Sequence, residues 1–600
     1  MRRPSPGRAC GCRDGRPTLA SRRPRPVDCG RRRSTLRPAQ PPSSPAPAPA
    51  FGLVLAAFAG IAFVVYLPAL DGGFVSDDQH YVWGNVYVRD ASLAHVMEIL
   101  DPRGDVVPLV ENYAPVHLLL HSLEWAVFGE NTRGYHLVNL LLHALASSLL
   151  FLFFARLQIP RPWAALGALL FLVHPANVEA VAWVSQLKSV LALALGLGAI
   201  LAHPSRPLFA VGLFALSLLA KPAGLVALPV VVMLGWVRGD APTGPGGGAS
   251  SWRWPWLVGW GVVLGIFAVL ELQAFGETAG THPVVYADTA DRLRSSVANA
   301  GRYLWMATTT LGLSAFHDPA PIRSWLSPAF GASLLALTAV AWRIVVVLRG
   351  RRVEAVCWAW AAAGFAPVCG ILSLPFPLAD RYLYFVLPGL IGVLLLALRD
   401  VGAWLVARRS AAGRDAMRFQ RLLVAAGALL AASLVLGFSV RSFERARLWG
   451  REHRLVFDSA QNYPLGRAAL LQRARAGAVA GDSEAMLVAL EDLHDRGFSR
   501  IDQLLQDPVY EPHRSHPRFQ RLLARMASDW LERLRADPDP SQSALYLMAV
   551  AHQVRGEETP MLRALERALE AGGPQDEQIR RELDEIRRRQ RLLERRSGSR

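Results

Sequence analysis

The chain has 600 residues, of which 52% are hydrophobic and 19% are charged, and its formal net charge is +17. The apolar fraction excludes an intrinsically disordered chain and exceeds that of an average soluble globular protein. The 5 cysteines show neither metal-ligand spacing nor a disulfide framework, so they predict no metal site.

Residues 1–49 form a basic arm that is rich in Pro, Ser and Ala and holds 12 Arg and 2 Asp. The arm lacks apolar periodicity, and we predict that it is disordered. A basic arm can bind nucleic acid or anionic lipid. This arm precedes an apolar segment, so the positive-inside rule explains its charge by a cytoplasmic N-terminus, and we expect no nucleic-acid partner. The first apolar segment is long enough to remain as an anchor.

Strong apolar runs between residues 50 and 440 predict a polytopic all-α membrane domain. They are Phe51–Leu70, His136–Leu157, Trp163–Trp183, Ser189–Ala202, Pro207–Trp236, Trp254–Leu272, Ala329–Leu348, Ala355–Leu374, Tyr382–Leu398 and Leu422–Val440. The run Pro207–Trp236 forms either a hairpin of two short spans or one long tilted span. In the second case Val297–Ala315 must also cross, so both versions give about eleven spans.

The arginine-rich loops set the orientation of these spans, because every such loop falls in the cytoplasm in both versions. Residues 70–135 and all residues after Arg441 then lie outside the cytoplasm. The hairpin version also places Lys221 outside and makes residues 276–327 a second outer region.

The first outer loop carries two adjacent carboxylates, Asp77 and Asp78, in the stretch GFVSDDQHYVWGN (73–85). A carboxylate at the membrane surface can take a proton from an attacking hydroxyl group. The alternative is that the pair caps a loop helix or solvates it. We treat Asp77 and Asp78 as candidate general bases.

Three cations on the predicted outer side are candidates for binding a phosphate. Arg381 in ADRYLY can hold phosphate through two hydrogen bonds, or it can anchor lipid headgroups. Only two of the 65 basic residues are lysines, Lys188 and Lys221, and both lie in the apolar region. Their ammonium groups are compact charges that suit a phosphate. The alternative is that these two lysines occur by chance in a chain whose other basic residues are all arginines.

Four further residues near the outer membrane edge have candidate supporting roles. Glu179 is a carboxylate at the edge of a span. His174 precedes a proline and is more simply bonded to backbone than catalytic. Asp380 is expected to orient Arg381, and Tyr382 belongs to an aromatic belt or stacks on sugar. Although several carboxylates occur here, their spacing does not demand a metal ion.

Residues 441–600 are polar and helical in pattern. The segments Ala469–Phe498 and Ala544–Gly573 align without gaps at an offset of 75 residues. Small residues at the helix crossing and a glycine at the turn predict tetratricopeptide-like helical repeats. Such repeats present a concave face that binds peptides, or they form a structural cap over the membrane domain.

Several motifs together resemble the bacterial relatives of the transmembrane-and-tetratricopeptide-repeat O-mannosyltransferases. They are GYHLVNLLLHALASSLL (134–150), HPANVEAVAWVSQLKSVLA (174–192), AKPAGLVALPVVVML (220–234), LADRYLYFVLPGL (378–390), SDDQHYVWGN (76–85) and RLWGREHRLV (447–456). The resemblance covers roughly residues 51–600. The stretch SAFHDP (314–319) departs from it, since the family usually has a tyrosine-proline stretch there.

The resemblance implies a GT-C glycosyltransferase with its site at the outer leaflet and a polyprenyl-phosphate sugar as donor. It assigns the first-loop acidic residue, here Asp77 or Asp78, as catalytic base, and it requires no cofactor. It also implies an enzyme of the bacterial inner membrane whose repeats lie in the periplasm. The enzyme is expected to transfer a sugar, with mannose as the candidate, to a protein or glycan acceptor. Two alternatives are a membrane scaffold that recruits partners through its repeats and a transporter of lipid-linked sugars.

Overall fold

The computed structural model describes residues 51–597, with gaps at 239–253, 279–285, 287, 351, 371–375, 412–414, 500, 536–539, 541 and 574. The basic arm and its three cysteines lie outside the described residues, as does part of the predicted second outer region. Every regular element among the described residues is a helix, so the prediction of an all-α protein is confirmed.

Seventeen α-helices precede residue 450. They are α1 Phe51–Val65, α2 Val86–Arg89, α3 Leu93–Leu100, α4 Val106–Val110, α5 Pro115–Phe128, α6 Thr132–Arg156, α7 Arg161–Leu172, α8 Val178–Ala182, α9 Leu187–Ala202, α10 Pro207–Ala220, α11 Ala227–Arg238, α12 Leu257–Thr278, α13 Thr289–Thr309, α14 Pro328–Arg349, α15 Glu354–Phe365, α16 Leu383–Ala411 and α17 Ala416–Ala446.

Six helical segments in the described chain are long and apolar enough to cross a membrane. They are Thr132–Arg156, Val184–Ala202, Leu257–Ala274, Pro328–Arg349, Asp380–Ala411 and Met417–Gly450. A seventh forms if Arg161–Leu172 and Pro175–Ala182, bent by 49°, are one broken span. The chain is therefore a multi-pass membrane protein, and the total of eleven crossings stays a prediction.

Proline breaks two of the predicted spans in the region that later forms the site. Pro175 follows α7 and starts a 3-10 turn, because proline cannot donate the hydrogen bond that would continue the helix. Pro222 ends α10 in the same way, and a 3-10 turn over Pro222–Val226 separates it from α11. Lys221 lies at this break in extended conformation.

Glycines let α15 and α16 pack at backbone distance. A Cβ atom added at Gly389 would lie 2.5 Å from the backbone nitrogen of Ala361 and 2.5 Å from the carbonyl oxygen of Cys357. A Cβ atom added at Gly364 would likewise lie 2.4 Å from the carbonyl oxygen of Phe385. This contact fixes the start of α16, which directly follows the turn that carries Arg381.

Eight further helices form the C-terminal region, and all but the first of them surround a second hydrophobic core. They are α18 Glu452–Asn462, α19 Arg467–Val479, α20 Ser483–Asp495, α21 Ile501–Gln506, α22 Pro517–Arg535, α23 Gln542–Val554, α24 Glu558–Ala571 and α25 Asp576–Ser597. Each of the two aligned segments folds as a helix pair, with Gly481 (φ 72°) and Gly556 (φ 73°) at the turns. Only glycine adopts this left-handed backbone without strain, which explains the repeated glycine.

The lead-in to the C-terminal region packs into the membrane region. The Trp449 ring stacks on Trp183 at a centroid distance of 5.0 Å. The backbone N–H of Gly73 donates to the carbonyl of Gly450 at 3.3 Å. Residues 50–600 form one compact unit in consequence.

Candidate active site

The loop that follows α1 places its two carboxylates, Asp77 and Asp78, in opposite surroundings. Ser76 adopts a left-handed backbone (φ 53°), which is uncommon for a residue other than glycine and turns the chain just before Asp77. Asp78 is fully buried and accepts hydrogen bonds from the backbone N–H of Val75 at 2.9 Å and of Ser185 at 2.8 Å. The Ser185 hydroxyl also donates to it. Burial raises the pKa of Asp78 to about 6. Asp78 thus ties the loop to the segment that precedes α9.

Asp77 is exposed and accepts one long hydrogen bond, from Ser76 Oγ at 3.4 Å. It interacts electrostatically with Lys188 more strongly than Asp78 does. It also interacts with Arg381. Of the two candidate bases, Asp77 is therefore the one that is open to a substrate, and its charge acts on Lys188 and Arg381.

The two lysines lie close to each other, although 33 positions separate them in the chain. Lys188, in the first turn of α9, donates from Nζ to the Tyr81 hydroxyl at 2.9 Å. Lys221 donates from Nζ to Ser189 Oγ at 2.7 Å. Both side chains are half-buried, and neither forms an ion pair within the described part of the chain. Their positive charges are thus available to an anion.

Arg381 is the third cation of this cluster. It lies in the 3-10 turn Asp380–Tyr382, and its Nη1 forms an ion pair with Glu179 Oε1 at 2.5 Å. Its backbone N–H donates to Glu179 Oε2 at 2.7 Å. Lys221 interacts electrostatically with Lys188, Arg381 and Glu179. The structure therefore brings together Lys188, Lys221 and Arg381 with Glu179, from three separate stretches of sequence.

Asp380 was expected to orient Arg381, but it does not pair directly with the Arg381 guanidinium. Asp380 binds His317 and Arg445 instead, at 2.7 and 2.8 Å, and Glu179 is the partner of Arg381. The reason is geometric, since successive side chains of a 3-10 turn point about 120° apart. Neighbours in sequence therefore face opposite sides of the turn.

His174 and Tyr382 lie beside the cluster and bind backbone groups. His174 Nδ1 accepts from the N–H of Ala176 at 3.2 Å, and its Nε2 donates to the carbonyl of Ala307 at 3.2 Å. The Tyr382 hydroxyl donates to the carbonyl of Phe376 at 3.2 Å, and its ring lies 5.2 Å from the Arg381 guanidinium. Both residues thus shape the site without presenting a free polar group to it.

The sequence reasoning missed Tyr81, Ser185 and Ser189, which position the charged groups. Tyr81 is buried, and burial raises the pKa of its hydroxyl, which stays neutral and accepts from Lys188. The available signal was spacing. Tyr81 follows Asp77 by four residues, and Ser185 precedes Lys188 by three, so each pair can share one face of a helical turn.

An apolar cavity of ≈ 180 Å³ lies between α13, α14, α15 and α16. Two of its lining residues flank the Arg381 turn. The Tyr303 hydroxyl accepts from the N–H of Ala379, and Leu383 begins α16. One end of the cavity therefore lies next to the turn that carries Arg381.

The carboxylates and imidazoles of the described residues do not come together in any group of three or more that could hold a metal ion. Asp78 is occupied by Ser185, and Glu179 by Arg381. Among the described residues, the site thus combines an exposed carboxylate without an ion pair, Asp77, with three basic side chains, of which Lys188 and Arg381 interact electrostatically with it.

Parts of the chain are similar in sequence to known proteins. Over 137 residues, or 21% of this chain, it is 39% identical to protein O-mannosyl-transferase Tmtc1 of Drosophila melanogaster. The chain is similar to protein O-mannosyl-transferases. It is also 35% identical to Tmtc2 of Drosophila melanogaster over 131 residues, and 27% identical to a Caenorhabditis elegans protein O-mannosyl-transferase over 183 residues.

These matches span only a minor part of the relatives, namely 15%, 14% and 26% of their respective lengths. No protein-family model matches the chain. Among solved structures, the Archaeoglobus fulgidus oligosaccharyltransferase aligns with 74% of this chain and 59% of its own, at a TM-score of 0.36 and 13% identity. ArnT from Cupriavidus metallidurans, bound to undecaprenyl phosphate, aligns with 71% of this chain and 81% of its own. Its TM-score is 0.32, and its sequence identity is 14%.

Proposed function

We propose that the chain is an integral-membrane glycosyltransferase of the GT-C type. It moves a sugar from a polyprenyl-phosphate donor to a hydroxyl group of a protein or glycan. The observation that carries this proposal is the convergence of one open carboxylate, Asp77, with Lys188, Lys221 and Arg381. The names of the relatives support mannose as the sugar.

The reaction follows from the charges. The donor phosphate leaves with the electron pair of the sugar–oxygen bond, and Lys188, Lys221 and Arg381 stabilise the negative charge that it gains. The acceptor hydroxyl forms the new bond to the sugar and passes its proton to Asp77. A single displacement of this kind inverts the configuration at the anomeric carbon. The step needs neither a cofactor nor a metal ion.

The apolar cavity supports a lipid donor. It lies beside the Arg381 turn and is lined by side chains such as Trp358, Phe365 and Leu390. A prenyl chain that entered the cavity from the bilayer would place its phosphate near the guanidinium. Because the chain passes from one apolar environment to another, its affinity would come mainly from packing and from the phosphate contacts. A water-soluble nucleotide donor would gain nothing from this surface.

The clustering of Lys221 also supports the hairpin version of the topology. Lys221 lies with Lys188 and Arg381, which both versions place on the outer side. A hairpin over Pro207–Trp236 brings Lys221 to that side, whereas a single tilted span leaves it in the bilayer. The proposed orientation has a cytoplasmic N-terminus and C-terminal repeats outside, in the periplasm if the chain is from a bacterial inner membrane. The repeats would then face the acceptor.

The test is transfer by the purified chain in detergent. The chain is offered a Ser/Thr-rich peptide together with one of three donors: polyprenyl-phosphate mannose, polyprenyl-phosphate glucose or a nucleotide-linked mannose. The product is identified by mass spectrometry. We expect a hexose on the peptide from a lipid donor, and none from the nucleotide. Asp77→Asn serves as the inactive control. Movement of the lipid-linked sugar across a vesicle membrane without transfer to the peptide would indicate the transporter instead. A scaffold would recruit its partners equally well in the wild type and in Asp77→Asn, and it would transfer no sugar.

A further inference from the structure

A buried polar network extends from the Arg381 turn toward the C-terminal helices. Asp380 is 1% exposed, and both of its carboxylate oxygens are bound. Oδ1 accepts from Nε2 of His317 at 2.7 Å, and Oδ2 accepts from Nη2 of Arg445 at 2.8 Å. Neither partner belongs to the cluster described above, and each lies more than sixty residues away in sequence.

The network continues from His317 to Tyr463, which follows α18. Nδ1 of His317 lies 2.7 Å from the Tyr463 hydroxyl. Nε2 of His317 faces the Asp380 carboxylate and must carry a proton, so in the neutral imidazole Nδ1 is the acceptor and the Tyr463 hydroxyl donates to it. Tyr463 thus stabilises the tautomer that His317 needs to hold Asp380.

Arg381 is consequently fixed from two sides. Glu179 binds its guanidinium and its backbone N–H from within the membrane region. The network binds the preceding residue, Asp380, from the opposite side. Because these two residues share one short turn, a shift of Asp380 displaces the Arg381 guanidinium.

We infer that His317, Arg445 and Tyr463 are positioning residues for the donor phosphate, and that the start of the C-terminal region completes the donor site. Tyr463 belongs to that region, yet it acts on Arg381 through His317 and Asp380. The inference rests on the proposed function, because it assigns Arg381 to phosphate binding.

The same interface provides a matched control. Arg467 pairs with Asp318 at 3.4 Å, and its backbone N–H donates to Asp318 Oδ2 at 2.6 Å. This pair joins the same two parts of the chain one residue beyond His317, but its side chains do not contact Asp380. A purely structural interface would respond alike to the loss of Tyr463 or Arg467.

The experiment measures binding of polyprenyl phosphate without sugar, and the donor KM and kcat of transfer, for purified full-length variants. Tyr463→Phe should weaken polyprenyl-phosphate binding and raise the donor KM about three- to tenfold, as expected for one lost hydrogen bond, with kcat changed less. Arg467→Gln should stay within about twofold of wild type. His317→Gln keeps an amide donor and acceptor, so it should retain more binding than His317→Phe.

Three results would overturn the inference. Equal weakening by Tyr463→Phe and Arg467→Gln would mean that the contact is only structural. Wild-type binding and KM in Tyr463→Phe would show that Arg381 does not depend on the network. If the wild-type chain neither binds polyprenyl phosphate nor transfers from it, the proposed function fails, and the positioning role fails with it. Thermal unfolding of each variant shows whether it is folded.

Discussion

Exchange of each first-loop aspartate for asparagine should separate the base from its support. Asp77 is exposed and accepts only one long hydrogen bond, from Ser76, so Asp77→Asn changes little except the basicity of the group. An amide cannot take the acceptor proton, and kcat should fall on the order of a hundredfold or more. The free energy of unfolding should change by less than about 0.5 kcal/mol, as for other surface substitutions.

Asp78→Asn should have a smaller effect, because the amide oxygen can still accept both donors of Ser185. The amide nitrogen then faces the N–H of Val75, which loses its acceptor. A buried unsatisfied donor costs about 1–3 kcal/mol, and removal of the buried charge offsets part of this. Because this cost falls on the stability of the loop and not on the proton transfer, transfer should fall by roughly tenfold at most.

The assay is single-turnover transfer from polyprenyl-phosphate sugar, with size exclusion as the folding check. Asp71→Asn is the matched control, since Asp71 starts the same loop and pairs with Arg133 on the surface. It should transfer at the wild-type rate. A larger loss in Asp78→Asn than in Asp77→Asn would reverse the assignment of the base. Full activity in both would refute a carboxylate base in this loop.

Lys188→Arg and Lys221→Arg should each lower transfer about ten- to hundredfold in the same assay, because a planar guanidinium misplaces a phosphate that an ammonium fits; wild-type rates would remove the lysines from the site. The pKa of Asp78 is about 6 in the folded chain against an ordinary 3.8, so its protonated form stabilises the fold. That contribution is complete below about pH 4 and is lost as pH rises through about 6, on the order of 3 kcal/mol. Thermal melts from pH 4 to 7 should show this loss in the wild type and not in Asp78→Asn. Gly389→Ala should lower the melting temperature markedly, because its Cβ meets backbone at 2.5 Å, whereas Gly402→Ala in the same helix has open space and should not.

The sequence carried enough information to select the charged residues of the site. The positive-inside rule placed Asp77, Lys188 and Arg381 on one side of the membrane, and the structure brings them together. The scarcity of lysine pointed to Lys188 and Lys221 without any knowledge of the fold. All of these signals depend on composition and order along the chain.

The partners of those residues could not be predicted, because they depend on contacts between distant segments. Ser185 binds Asp78 across 107 positions, and Glu179 binds Arg381 across 202. The adjacency of Asp380 and Arg381 suggested a pair, but local sequence does not report side-chain direction. The choice between Asp77 and Asp78 needed the same information, since only the fold buries one of them.

The stack of Trp449 on Trp183 bears on how this protein can be shortened or exchanged between relatives. The change of composition near residue 440 invites a cut there, yet such a cut would remove the indole that covers Trp183 and the carbonyl that binds Gly73. A fragment ending before Gly450 should therefore misfold at its outer end rather than behave as a minimal enzyme. Chimeras that swap repeat arrays should keep residues 441–463 from the membrane parent and join after them.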